Sequence, residues 1–114
     1  MLYHYKITEY KEASVVRDKE IKEGWQGFLA LCSKLSSAKE LDLLFDIFFT
    51  FDERENLSSR YLLIRELLEG KKTQREIAEE LHISIAKITR GSNRLKTVNT
   101  KWKKLLLEFY QELE

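Results

Sequence analysis

The stretch Thr73-Gln-Arg-Glu-Ile-Ala-Glu-Glu-Leu-His-Ile-Ser-Ile-Ala-Lys-Ile-Thr-Arg-Gly-Ser-Asn93 leaves the chain few ways to fold. Its spacing predicts two short helices around a tight turn. Thr73 and Glu76 form a capping box, in which each side chain satisfies an orphan backbone donor at a helix start. Ile77, Ala78 and Leu81 then recur at helical spacing and give one narrow buried stripe. His82 and Ile83 make the turn. Ser84 is a good N-cap for a second helix that carries Ile85, Ile88 and Leu95 on one side. The small Ala78 allows two helices to cross closely. Over about residues 74–97 this is a helix-turn-helix layout, whose second helix is shaped to enter the major groove of DNA.

Charge agrees with that layout. Residues 71–104 hold ten Lys or Arg against three acids, so the segment is +7 within a chain of net charge +1, and the remainder is −6. A basic module on an acidic body is what phosphate contact with counterion release requires. A solvated pair of surface helices is the plainer alternative; spacing, cap, small residue and charge together favour DNA.

Composition bounds the rest. A chain of 114 residues, 43% hydrophobic and 34% charged, fits one soluble globular domain. No apolar run is long enough to span a bilayer and no signal-peptide layout opens the chain, so a cytoplasmic protein is expected. Cys32 is the sole cysteine and sits among Leu29, Leu31 and Leu35, which suits core filler in a reducing compartment. Strand-type alternation is scarce and proline is absent. The fold class is therefore all-α, with helix ends set by caps and glycine.

Leu2 to Ile7 could form a short strand, but a lone strand has no partner, so residues 1–13 read as an arm, mobile or partly docked, that can touch DNA and whose tyrosines can pack on a partner; a frayed terminus is the simpler reading. The helical domain is expected over 14–114. A first helix runs from about Ser14 to Leu35 and lines up Ile21, Trp25, Phe28, Leu29, Cys32 and Leu35. Gly24 and Gly27 can admit a crossing helix. Leu41 to Phe49 is a short helix, apolar nearly all round, with Leu41, Leu44, Phe45 and Phe48 in a core. A helix of that kind must be enclosed, and one small chain has little interior to enclose it. Six helices in an intertwined homodimer follow.

Thr50 and Glu53 make a second capping box, and Gly70 closes the helix they start. Leu57, Tyr61, Ile64 and Leu68 are its expected stripe. Arg60 lies on or beside that apolar face and needs an anionic or aromatic partner. The pattern alone favours an internal salt bridge, or a stem on the core with its head in water. Asn99 or Thr100 starts a last helix with Trp102, Leu105, Leu106, Phe109 and Leu113 on its apolar side. Lys101, Lys103 and Lys104 crowd its start against the helix dipole.

Ile88-Thr89-Arg90-Gly91-Ser92-Asn93, with Thr73-Gln74-Arg75-Glu76 and Asp52-Glu53-Arg54-Glu55, resembles the tryptophan repressor family. The resemblance runs from about Trp25 to Lys96 and is densest from Thr50 onward. It implies a homodimer that binds double-stranded operator DNA when L-tryptophan, the corepressor, fills two equivalent pockets. No other cofactor and no metal are implied. Arg60 and Arg90 match the arginines that sandwich the indole and attract the carboxylate, which reverses the preference for a structural Arg60. Thr50 matches a threonine near the carboxylate. Carbonyls around Ile47 and Phe49 would meet the amino group from the other subunit, and Gly91 matches a glycine beside the ring. Arg94 stands where a small residue borders the pocket, so it can narrow ligand choice, add an anion contact or point to DNA. Arg75 matches the guanine-reading arginine. Ile85, Ala86, Lys87 and Thr89 face base edges or nearby phosphates, and Gln74 and Lys96 are phosphate contacts. Ala78, Lys87, His82 and Phe51 depart from the familiar pattern, so operator contacts are expected to differ.

The implied function is an L-tryptophan-dependent repressor of tryptophan biosynthesis or uptake genes. A dimeric regulator with another effector, or none, is the nearest alternative, and a helical adaptor that ignores DNA is a more distant one. An enzyme is not expected, since no nucleophile–base pair or phosphate-cradling loop is present. The division of DNA contacts predicts that Arg75→Ala relaxes sequence preference, whereas Lys96→Ala weakens binding to every sequence. A gel-shift panel with equal losses on operator and random DNA for both variants would contradict it.

Overall fold

The protein, seen as a computed structural model, is described over the backbone of residues 2–114 and the side chains of residues 17–114. The described backbone forms six helices: α1 Leu2–Cys32, α2 Ala38–Phe48, α3 Phe51–Glu69, α4 Gln74–Leu81, α5 Ile85–Lys96 and α6 Thr100–Glu112. They fall into two units that divide between Phe48 and Phe49.

In the first unit, α1 starts at Leu2 and passes through the segment expected to precede a helix at Ser14. The packing expected of the arm's tyrosines concerns side chains outside the described residues. α1 stops at Cys32, short of Leu35, because the chain tightens there: Lys34 N donates to Leu31 O at 3.2 Å and Leu35 N to Cys32 O at 3.1 Å. Such three-residue bonds close a last turn. A Cβ on Gly24 or Gly27 would meet nothing within 4 Å, so neither glycine marks a close helix crossing among the described residues.

α2 begins at Ala38, earlier than the apolar run suggested, because Ser37 caps it. The Ser37 Oγ accepts from Glu40 N at 3.1 Å and donates to Glu40 Oε1 at 3.0 Å. Phe28 of α1 joins the two helices: its ring lies 6.0 Å from Phe45 and 5.4 Å, edge-on, from Phe48. The expected core of α2 is only half made. Leu41, Leu44 and Phe45 are half-buried, Phe48 is exposed, and no residue of the helix is fully buried.

The second unit is built on α3, against which α4, α5 and α6 pack. Both capping boxes form as expected, with the Thr50 and Thr73 hydroxyls each accepting at 3.1 Å from the amides of Glu53 and Glu76. Contact with Thr50 holds the Glu53 carboxyl below its usual pKa: the backbone amide contributes most and the side chain next. Gly70 closes α3 at φ 66° and His82 closes α4 at φ 53°. Left-handed backbone is tolerated by histidine better than by most residues. The core is Leu63, Ile77 and Ile88, with Leu67, Ala78, Leu81 and Ile83 packed on it.

A single chain fills only part of the two expected stripes. α3 turns Leu63 inward, while Leu57 and Tyr61 are exposed. α6 buries Tyr110, whose hydroxyl donates to Tyr61 O at 2.9 Å, and leaves Trp102, Leu105, Phe109 and Leu113 in the open. Each helix carries two apolar stripes, and the partner helix selects one; spacing alone cannot choose between them.

Glu66 is a buried acid, held by Lys72 at 3.2 Å and Arg65 at 3.4 Å. Lys72 also reaches Glu80 at 2.6 Å and so ties α3 to α4. Hydrogen bonds to Glu80 first and Glu66 second raise the Lys72 pKa above 10.5. Folding therefore tightens this proton, and the stabilisation is complete at neutral pH and fades only as pH climbs through the raised value. Lys72→Met should accordingly lack the part of the alkaline stability loss that the native chain shows above pH 10.5. A urea series across that range checks it. Ile88→Ala should cost about 2–4 kcal/mol at neutral pH, since Ile88 is fully enclosed.

Candidate functional site

A close helix crossing makes the site. A Cβ on Gly91 of α5 would lie 3.0 Å from Leu63 Cδ2 and 3.5 Å from Leu67 Cδ1 of α3. The missing side chain lets α5 settle onto α3 at this point. Packing against α3 is thus a sufficient reason for the glycine, alongside the ring clearance that the resemblance implied.

Beside the crossing lies a cleft of about 450 Å³. α3 contributes Asn56, Ser59, Arg60, Leu63 and Ile64; the turn contributes Ile83; α5 contributes Lys87, Arg90, Gly91 and Arg94. Steps of three and four residues place each set on one helix face. Leu63, Ile64 and Ile83 supply apolar wall, while Arg60, Lys87, Arg90 and Arg94 supply positive charge. An aromatic ring with an acidic group suits such a lining, because guanidinium planes stack on rings and fork onto carboxylates. Arg60 is exposed and has no ion pair among the described residues.

Of the residues expected at the ligand, Arg60, Arg90, Gly91 and Arg94 come together in this cleft. Thr50, Phe49 and Ile47 do not line it. Thr50 is occupied as the N-cap of α3, Phe49 is half-buried just before it, and Ile47 lies in α2 of the first unit with 78% of its surface exposed. Asn56, Ser59, Leu63 and Ile83 line the cleft and were not among the expected ligand residues. Asn56 and Leu63 stand about one helical turn either side of Arg60 and Ser59 directly precedes it, but nothing in their residue types marks them.

Among the residues expected at DNA, Gln74 and Arg75 are exposed in the first turn of α4. Ile85, Ala86, Lys87 and Thr89 are exposed in the first turns of α5. Lys87 belongs to both sets, because it also lines the cleft. Lys96 is exposed at the end of α5, with its Nζ 3.5 Å from Asn93 Oδ1. Lys72, counted in the basic segment, is committed to Glu66 and Glu80.

The model of the family described as Trp repressor protein matches residues 23–109. A Trp operon repressor homolog of Chlamydia trachomatis serovar D is 54% identical over 85 residues, which cover 75% of this chain and 90% of that protein. The Trp operon repressor homolog of Chlamydia caviae is 47% identical over 85 residues, covering 75% and 84%. The homolog of Vibrio vulnificus strain YJ016 is 46% identical over 72 residues, covering 63% and 71%.

The crossing itself is open to test. Gly91→Ala sets a Cβ 3.0 Å from Cδ2 of the buried Leu63, so despite its gain in helix propensity it should lower stability by about 1 kcal/mol. Gly91→Val should cost about 1–3 kcal/mol through overpacking. Urea denaturation of both variants measures the difference.

Proposed function

Because the chain belongs to the Trp repressor family, we propose that it is an L-tryptophan-dependent DNA-binding repressor that acts as a homodimer. The family is one of transcriptional regulators, not of enzymes. The observation that carries the finer reading is that Arg60 of α3 and Arg90 of α5 line one cleft.

In this reading the indole lies against Leu63 and Ile64, and the two guanidiniums flank it and fork onto the carboxylate. α4 and α5 are the helix-turn-helix. Arg75 reads guanine, the first turns of α5 enter the major groove, and Gln74 and Lys96 hold phosphates. A ligand wedged between α3 and α5 fixes the tilt of α5. The two recognition helices of a dimer must sit about 34 Å apart, a spacing general to helix-turn-helix dimers, this family among them. A ligand that favours that spacing raises DNA affinity, and DNA raises ligand affinity by the same factor.

The homodimer has its own support. Large apolar side chains are exposed on α1 (Ile21, Trp25, Leu29), on α2 (Leu43, Ile47, Phe48) and on α6 (Trp102, Leu105, Phe109). Monomers rarely leave so much apolar surface in water. A second copy covers these faces, and carbonyls near its Ile47 and Phe49, with Thr50, complete the ligand site. The presence of Lys87 and Arg94 in the cleft favours one variation, in which the effector is not L-tryptophan alone.

Fluorescence anisotropy on a palindromic duplex, selected by this protein from a random pool with L-tryptophan present, tests the proposal. L-tryptophan should tighten binding roughly 5- to 150-fold. Arg60→Ala and Arg90→Ala should abolish that response while binding in the absence of ligand persists. Equal affinity with and without L-tryptophan would overturn the reading.

A further inference from the structure

Arg60, Lys87, Arg90 and Arg94 line one cleft, and no carboxylate lines it. None of the four has an ion-pair or hydrogen-bond partner for its side chain among the described residues. Lys72 is compensated by two carboxylates and Arg65 by one, whereas Lys71, Arg75, Lys101, Lys103 and Lys104 have no ion pair among the described residues but do not line the cleft; what sets the four apart is that they border one cavity without a carboxylate. Lys87 with Arg90, and Arg90 with Arg94, are like charges three and four residues apart on one helix face, a spacing at which they repel. An occupant that brings negative charge relieves this.

An amino acid brings a single carboxylate, and Arg60 with Arg90 suffices for it. Lys87 and Arg94 are then surplus. They stand seven residues apart on one face of α5, about 10 Å along its axis at 1.5 Å per residue, with Arg90 between them. One carboxylate is too small to meet both ends of that row. Two oxyanions can do so, with the apolar wall of Leu63, Ile64 and Ile83 between the charged groups.

We infer that the cleft takes two oxyanions at once, one toward Lys87 and one toward Arg94. Its full complement is an aromatic acid together with a second oxyanion, which is either another acidic group on the same molecule or a free phosphate. The aromatic part of this statement rests on the reading given under Proposed function; the oxyanion subsite does not. Lysine meets its oxyanion as a compact triple donor, and arginine as a planar fork.

Two arms, run on the full chain, test the inference and separate the sources. In the first, inorganic phosphate is titrated by calorimetry at constant ionic strength, with and without saturating L-tryptophan. Two phosphates per chain should bind without L-tryptophan, and one with it, since its carboxylate then fills one position. Arg94→Ala or Lys87→Ala should weaken phosphate binding about ten-fold or more, the loss of a charge-assisted contact, and Lys34→Ala should leave it unchanged. In the second arm N-malonyl-L-tryptophan is compared with N-acetyl-L-tryptophan, which differs by one carboxylate. The malonyl compound should bind about ten-fold tighter, and Arg94→Ala should erase the difference.

Phosphate binding alone assigns the second oxyanion to a free ion, and the malonyl preference alone assigns it to the ligand; each supports the inference. Where neither acyl compound enters the cleft, the phosphate arm decides. Phosphate that does not bind, or binds without regard to Arg94 and Lys87, overturns the inference if no malonyl preference is seen. In that case a changed salt dependence of DNA binding in the two variants would assign these cations to the DNA backbone instead. Phosphate binding without any L-tryptophan binding would leave the subsite standing and remove the tryptophan reading.

Discussion

Leu63 pressing against Ile77 and Ile88 is the contact on which the second unit depends. It engages three helices through three side chains, each of them at most 4% exposed. Burial of that extent is worth about 1.5–3 kcal/mol per side chain, as an upper figure. Gly91 brings α5 close enough to α3 for the contact to close. Once it has closed, Arg60 on α3 and Arg90 on α5 must share a cleft, because each sits about one turn or less from the crossing. The site is a by-product of how the core packs.

The starts of α3 to α6 were legible in the sequence because capping is local chemistry, although the Ser37 cap of α2 was passed over. Thr50, Thr73, Ser84 and Asn99 each accept from an amide two or three residues on, and none of those bonds depends on tertiary structure. The left-handed His82 was legible from its place in the turn. The inward faces of α3 and α6 were not. Leu57 with Tyr61 and Leu63 with Leu67 are both regular apolar sets, and only the neighbours of α3 decide between them. Residues 1–13 were read as an arm because a lone strand there would have no partner; the backbone of residues 2–13 is helical.

The site divided along the same line. Arg60, Arg90, Gly91 and Arg94 stood out through motif and resemblance, since arginine on an apolar face and glycine inside a helix both require an explanation. Asn56 and Ser59 carried no such anomaly, as polar residues on an exposed helix face are ordinary. Lys72 shows the converse error. In a charge count it belongs to the basic segment, but a buried acid and a surface acid have claimed it. Net charge states how much cation a segment holds, not how much of it is available.

In the proposed function one ligand lies between two arginines that belong to different helices. A double-mutant cycle on Arg60 and Arg90, read by calorimetry of L-tryptophan binding, tests this most directly. If both guanidiniums grip the same molecule, replacing both with alanine should cost clearly less, or clearly more, than the sum of the single losses, by at least about 0.5 kcal/mol. Strictly additive losses, or binding indifferent to either change, would contradict the account.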